Sequence, residues 1–297
     1  MEIVVSNISK TYRRKKSVVE ANKNISLIIN KGDFLGIFGS NGSGKTTLIR
    51  EILSIIEPDE GEITVRDRER IGYMAQSGYA PFYNLKVREA LDIVADLHKL
   101  EKNICEKKMK ETLRYFSIKE EILESFFYQL SGGQRRILYF AFALLGESDV
   151  LVLDEPSNDL DPENRYLLWN KIKELNMQGK TILLVTHNLT EVENHISRFV
   201  FLKNGEIILD EKQTLLSEYN SKQNKLLLYF KDKNQREKRF DELTQCKTEY
   251  QLKKISDTIL VVICSKEESE QVLKKVESDE IDGYKLERIT LEDICFG

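Results

Sequence analysis

Lys45 and Thr46 close the stretch Gly39-Ser40-Asn41-Gly42-Ser43-Gly44-Lys45-Thr46, in which glycine, lysine and a hydroxyl residue stand at the spacing G-x-x-x-x-G-K-[ST]. That spacing suits the gripping of phosphate groups. Glycines let backbone N–H groups turn inward around phosphate oxygens. The N-terminus of a following helix adds partial positive charge. The Lys45 ammonium can reach outer phosphates, and the Thr46 hydroxyl can ligate Mg2+. A pair of carboxylates stands further along. Asp154 ends the apolar run "VLVLD" and Glu155 follows at once. At the tip of a parallel strand, Asp154 would sit beside the cradle and hold Mg2+ through water. Glu155 would position or polarise an attacking water.

These groups meet only if the elements around them place them together. "EIVVSNIS" (2–9), "ISLIIN" (25–30) and "DFLGIFG" (33–39) read as strands, with Asn30-Lys31-Gly32-Asp33 as a turn. A helix is expected from Lys45 through Ile56, and "GEITV" (61–65) reads as a short strand. Residues 85–129 read as helical throughout. Leu91, Val94, Leu97 and Leu100 would form one apolar stripe against a core, and "EKKMK" (106–110) a solvated face. From 131 to 187 the pattern is helix, strand, helix, strand. "VLVLDEP" (150–156) and "TILLVTH" (181–187) are continuous apolar runs that fit a parallel sheet covered on both faces. "FVFLKNGEIIL" (199–209) reads as a hairpin turning at Asn204-Gly205.

Polar "SEYNSKQNK" (217–225) reads as a linker. Beyond it the expected order is strand (226–231), helix (235–244), strand (250–255), strand (258–264), helix (266–277) and strand (284–291). That β-α-β-β-α-β order is the ferredoxin-like arrangement. Length supports the same division, since 297 residues suggest two domains.

Composition excludes several classes. Hydrophobic residues make up 41% and charged residues 32%, as in ordinary globular proteins. The net charge of −4 announces no nucleic-acid or anionic-membrane surface. Cys105, Cys246, Cys264 and Cys295 form no C-x-x-C pair and read as free thiols of a reducing compartment. The opening "MEIVVSNISKTYRRKK" does not read as a signal peptide. Apolar runs such as "TILLV" and "TILVVIC" fall far short of the about 18 residues that a membrane-crossing helix needs. A membrane role would come through a partner.

Leu130-Ser131-Gly132-Gly133-Gln134 adds a second glycine-rich turn ahead of a predicted helix. With it, roughly residues 1–215 resemble the nucleotide-binding subunit of an ATP-binding cassette (ABC) transporter, with the family's motifs in the family's order. The resemblance implies a P-loop NTPase of the α/β class. It would comprise a parallel sheet core, an N-terminal antiparallel β subdomain and a helical subdomain at about 85–130, within a nucleotide-binding domain spanning 1–217. Residues 218–297 would form a small α+β accessory domain. Gly39 through Thr47, including Ser40, Asn41, Gly42, Ser43 and Gly44, matches the Walker A loop. Tyr12 lies where the family stacks an aromatic ring on adenine. Gln76, in "IGYMAQ", matches the Q-loop glutamine that contacts Mg2+ and senses the membrane partner. Asp154 and Glu155 match Walker B and its catalytic glutamate, "SNDLD" (157–161) the D-loop, and His187 the switch histidine that reaches the γ-phosphate. Two departures stand out. Ile137 occupies a position where many members carry Arg, and Ser40 one where Pro is frequent.

The resemblance also answers why one chain carries two anion sites. One cradle already grips one nucleotide, so Ser131, Gly132 and Gly133, with a hydroxyl, N–H groups and a helix dipole, are free to serve another. In the family two cassettes pack head to tail, each signature turn closing on the ATP held by the opposite Walker A loop. The implied reaction is hydrolysis of ATP with Mg2+. The implied partners are integral membrane transporter subunits and a second cassette, identical or not, with no nucleic acid. The implied place is the cytoplasm, peripheral on the inner face of the membrane. The stretches "EPSNDLDP" and "THNLTEVENHISRFVFLKNGEI" look most like the exporter branch, and "YKLERITLEDICF" (284–296) resembles the close of its C-terminal extension. The alternative is a soluble cassette ATPase of translation or DNA maintenance, against which the single cassette and acidic charge argue.

Overall fold

The computed structural model describes residues 3–14, 17–66, 71–76, 81–245, 250–276 and 281–296. The chain starts as a long antiparallel hairpin of β1 (Ile3–Arg14) and β2 (Ser17–Ile29), with Ile3 opposite Ile29 and Val5 opposite Leu27. Ile3, Val5, Leu27 and Ile29 are buried and their strand neighbours are not, which is the period-two pattern of a half-covered sheet. Both strands run well beyond the short segments expected from sequence. Asn7 and Asn24, at φ 50° and 46°, absorb a register shift that keeps the pairing going. After β3 (Phe34–Phe38) and α1 (Lys45–Ile52), β4 (Glu60–Val65) pairs with the other edge of β1. The helix after the glycine-rich loop therefore stops at Ile52, short of the expected Ile56, where Ser54 takes φ 54°.

The central sheet has the order β5-β6-β7-β3-β8-β9, built from β3, β5 (Ile71–Met74), β6 (Val150–Asp154), β7 (Thr181–Val185), β8 (Arg198–Lys203) and β9 (Glu206–Lys212). Every pair from β5 to β8 is parallel. β3, β6 and β7 are buried at all five positions, as continuous apolar strands covered on both faces must be. Asn204 and Gly205, both at positive φ, turn β8 into β9. β5 was not expected from the sequence.

Residues 85–129 are not helical throughout. They form α2 (Val87–Leu97), α3 (Lys102–Tyr115) and two short 3-10 turns, Glu120–Glu124 and Phe127–Gln129, separated by extended residues. Leu91 and Val94 are buried as expected, but Leu97 is 75% exposed. Steps of three residues drift around a helix of 3.6 residues per turn, so the buried face continues through Ala95 and leaves Leu97 outside. Cys105, Met109, Leu113, Leu123, Phe127 and Leu138 complete this helical core. α4 (Gly132–Leu145) and α5 (Pro162–Met177) then flank β6 in sequence.

The chain divides into two compact units, Met1–Asn188 with Asn194–Glu211, and Leu189–Glu193 with Lys212–Gly297. The second contains α6 (Leu189–Val192) and a sheet of order β11-β12-β10-β13, all neighbours antiparallel. Its elements are α7 (Thr214–Lys222), β10 (Gln223–Phe230), α8 (Lys233–Thr244), β11 (Gln251–Lys254), β12 (Ile259–Ser265), α9 (Lys266–Val276), β13 (Ile281–Glu287) and α10 (Leu291–Phe296). The strand order is the ferredoxin-like one, with α7 and α10 added. Two expectations fail here. Residues 217–225 are not a linker: Leu216 anchors α7 and the chain enters β10 at Gln223. The last strand ends at Glu287 rather than 291, because Thr290 and Asp293 bond to each other and start α10. Cys264 is buried in this sheet, Cys295 lies on α10, and burial pushes their thiols up to about 11 and about 12. Cys246 lies outside the described residues. Among these residues no helix is long and apolar enough to cross a membrane.

Candidate functional site

β3 delivers the chain into the glycine-rich loop, and α1 takes it away. Gly39, Gly42 and Gly44 have φ of 150°, 81° and 110°. A Cβ on Gly44 would lie 2.3 Å from the Ala21 carbonyl oxygen, whereas one on Gly42 would meet nothing within 4 Å. The loop is thus pressed against the hairpin at one glycine and open at the other. Lys45, nearly buried, donates to the carbonyls of Gly39 at 2.7 Å and Ser40 at 3.0 Å. Burial pulls its pKa down, while Glu155 and Asp154 pull it up.

β6 ends at Asp154, which is 2% exposed. Burial first, and then the Glu155 charge, raise its carboxyl from 3.8 to about 6 against the attraction of Arg136 and Lys45. Its Oδ2 is buried and has no hydrogen-bond partner among the described residues. Thr46, Gln76 and Asp154 together line a cleft of about 660 Å3. A hydroxyl, an amide oxygen and an orphaned carboxylate oxygen are the hard donors that Mg2+ takes, with water and phosphate oxygens as further ligands. No cluster of three His, Cys, Asp or Glu side chains suited to a metal exists among the described residues. The donor set therefore fits an ion shared with a phosphate ligand rather than an all-protein cage.

Glu155 occupies φ 51°, a left-handed conformation that costs a non-glycine residue about 1–3 kcal/mol. Its N–H donates to the Val185 carbonyl at 2.8 Å, which ties it to the adjacent strand. Its Oε2 accepts from the Thr186 hydroxyl at 3.0 Å, and its Oε1 accepts from the His187 N–H at 3.0 Å. The His187 Nδ1 lies 2.6 Å from Oε1, with the ring side chain 62% exposed. The carboxylate is held by buried groups on one side and by a solvent-facing imidazole on the other.

Ser131 caps α4. Its hydroxyl accepts from the Gln134 N–H at 3.1 Å, and the Gln134 side chain accepts from the Ser131 N–H at 3.0 Å. The capping box fixes the turn that presents the Gly132 and Gly133 amides at the helix start. A Cβ on Gly132 would lie 3.1 Å from the Asp159 Cβ, and one on Gly133 3.1 Å from the Asp159 carbonyl oxygen. The turn packs on the 157–161 loop, not on the glycine-rich loop of its own chain. Tyr12 stands on β1 opposite Val19 and is 37% exposed.

The structure thus gathers Lys45, Thr46, Gln76, Asp154, Glu155 and His187 beyond the tips of β3, β5, β6 and β7. It leaves Ser131–Gln134 facing elsewhere and Tyr12 out on the hairpin. Sequence reasoning missed two residues here. Thr186 binds Glu155. Arg136, 2% exposed, buries its guanidinium among backbone carbonyls of the Asp154–Pro156 turn. Its only signal in the sequence was a charged residue on the apolar face of α4.

Residues 22–158 match the family model described as ABC transporter. The chain is 34% identical over 215 residues to the carnitine transport ATP-binding protein OpuCA of Listeria monocytogenes, covering 68% of this chain and 53% of that one. It is 34% identical over 219 residues to the Nod factor export ATP-binding protein I of Rhizobium etli, covering 69% and 66%. The chain thus spans about half the length of the first relative and about two thirds of the second. Among solved structures it resembles the ADP- and phosphate-bound, dimeric ATP-binding cassette MJ0796. That match has a TM-score of 0.65 and 28% identity, and covers 71% of this chain and 98% of that one.

Proposed function

Since the chain carries an ATP-binding cassette domain of the ABC transporter family with the P-loop NTPase fold, we propose that it hydrolyses ATP and drives a membrane transporter. The observation that carries this is the convergence of Lys45, Thr46, Asp154 and Glu155. The anion-gripping loop follows β3, and the orphaned carboxylate oxygen and the base follow β6, with only β7 between the two strands.

The loop amides of 39–47 and the start of α1 bind the phosphates, and Lys45 exchanges its two carbonyl partners for phosphate oxygens. Thr46, Asp154 and Gln76, which line one cleft, would hold Mg2+. When bound, that ion neutralises charge on the transferring group. Glu155 accepts the proton of the attacking water. To do so its Oε1 must turn from His187, whose imidazole is then free to swing toward the γ-phosphate and donate to it. The signature turn Ser131-Gly132-Gly133, packed away from its own loop, closes on the nucleotide of a second cassette, and Tyr12 stacks on adenine. The dimeric MJ0796 cassette supports such a pairing.

The second unit, which the contacts bound at Lys212 rather than at the expected residue 218, is an accessory domain that supports this dimerisation. The working place is the cytoplasmic face of the membrane, against integral transporter subunits. The direction we assign is export, in line with the Nod factor export relative. These relatives are transport proteins, so the alternative in translation or DNA maintenance has no support.

Glu155→Gln tests the central reading. The variant should bind ATP with Mg2+, form a stable ATP-dependent dimer in gel filtration, and lose hydrolysis by a factor of about 100 or more. A variant that turned over ATP at the wild-type rate would remove Glu155 from the reaction.

A further inference from the structure

The Arg136 guanidinium is a charged group buried at the junction of three segments that the reaction uses. Its Nε donates to the Pro156 carbonyl at 3.2 Å. One terminal nitrogen donates to the Ala75 carbonyl at 2.7 Å, and the other to the carbonyls of Asp154 and Glu155. All four acceptors are main-chain oxygens. Three of them are consecutive and belong to the turn that holds Glu155 in its left-handed conformation. The fourth belongs to the residue immediately before Gln76. Arg136 itself lies two residues past Gln134, in the first turns of the helix that Ser131 caps.

We infer that Arg136 is the positioning residue that sets the Glu155 carboxylate and the Gln76 amide in register with the signature turn. This inference rests on the functional reading above. The turn after β6 presents three consecutive carbonyls, and the planar fork of a guanidinium donates to all of them at once. A left-handed Glu155 persists only where its surroundings over-determine it, and these bonds do so. One rigid cation thus moves as part of α4. Any shift of the signature helix is passed to the base and to the Gln76 end of the cleft. Ile137, the next residue, is buried but carries no donor and cannot serve. In this chain the role falls to the preceding residue.

Arg136→Lys keeps the charge but loses the fork, since an ammonium has three donors and no planar geometry. Full-length wild type, Arg136→Lys and Arg136→Gln would be compared by fluorescent-ATP binding, steady-state ATPase and backbone hydrogen–deuterium exchange, after a thermal melt to confirm folding. In Arg136→Lys, ATP affinity should stay within about twofold, because the 39–47 loop is untouched. kcat should fall at least about tenfold without a rise in KM, as expected for a misplaced base. Exchange should quicken at residues 75–76 and 154–158 and nowhere else. Unchanged kcat and unchanged exchange in a folded Lys or Gln variant would overturn the proposal, as would a kcat loss matched by an equal loss of ATP affinity. Unfolding of both variants would make Arg136 a core-stabilising group only and also overturn it. If wild type itself bound ATP without hydrolysing it, the functional reading would fail, and the exchange pattern alone would decide the role of Arg136.

Discussion

The imidazole of His187 and the carboxylate of Glu155 face each other at 2.6 Å between Nδ1 and Oε1, and the same oxygen accepts the His187 N–H at 3.0 Å. One residue thus binds the base twice, once through backbone and once through a side chain that is 62% exposed. Only the second bond can be released without disturbing β7.

His187→Ala should therefore separate catalysis from stability. The backbone bond and the Thr186 hydroxyl still satisfy Glu155, so the unfolding free energy should change by less than about 1 kcal/mol. Loss of a donor to the transferring phosphate should lower kcat about 100-fold. Urea melts and steady-state ATPase assays on the same preparation check both halves. A kcat within threefold of wild type would remove His187 from the mechanism.

Asp154 makes a pH-dependent cost visible. Its folded pKa, about 6, lies above the ordinary 3.8, so between these values the folded state binds more protons than the unfolded one. Stability then falls as pH rises through that window, with a penalty of about 3 kcal/mol fully present above pH 6. Asp154→Asn should remove it: without nucleotide or metal, the variant should be more stable than wild type at pH 8 and equal to it near pH 4. The same variant should lose Mg2+-dependent hydrolysis. Denaturant melts at both pH values decide the first point, and equal stability at pH 8 would contradict it.

The two open-and-closed glycines of the loop predict unequal costs. Gly44→Ala places a methyl 2.3 Å from the Ala21 carbonyl at φ 110°, so the loop or the hairpin must move, at more than about 3 kcal/mol. Gly42→Ala meets open space and incurs only left-handed strain, about 1–2 kcal/mol. Thermal melts without nucleotide should rank the two in that order. The reverse order would mean that the Ala21 contact does not constrain the loop.

On α2, Leu91→Ala should destabilise by about 2–5 kcal/mol, because Leu91 is buried. Leu97→Ala should stay within about 0.5 kcal/mol, because Leu97 is mostly in water. Chemical denaturation of the two variants distinguishes this from the single apolar stripe that sequence spacing suggests.

Read alone, the sequence was enough for the glycine-rich loop, the Asp154–Glu155 pair, the buried parallel strands and the second glycine-rich turn ahead of α4. Each of these is a local arrangement: spacing along the chain determines which backbone N–H groups, caps and strand tips form. The strand order of the second unit was legible for the same reason, since turn signals and apolar runs alternate there. What only the tertiary structure decided involves partners distant in sequence. Arg136 finds its acceptors 18 to 61 residues away, and Thr186 meets Glu155 across 31. Leu97 and the supposed linker were misread because burial is set by what packs against an element. Periodicity describes a face, but the neighbouring helix or strand determines whether that face meets core or water.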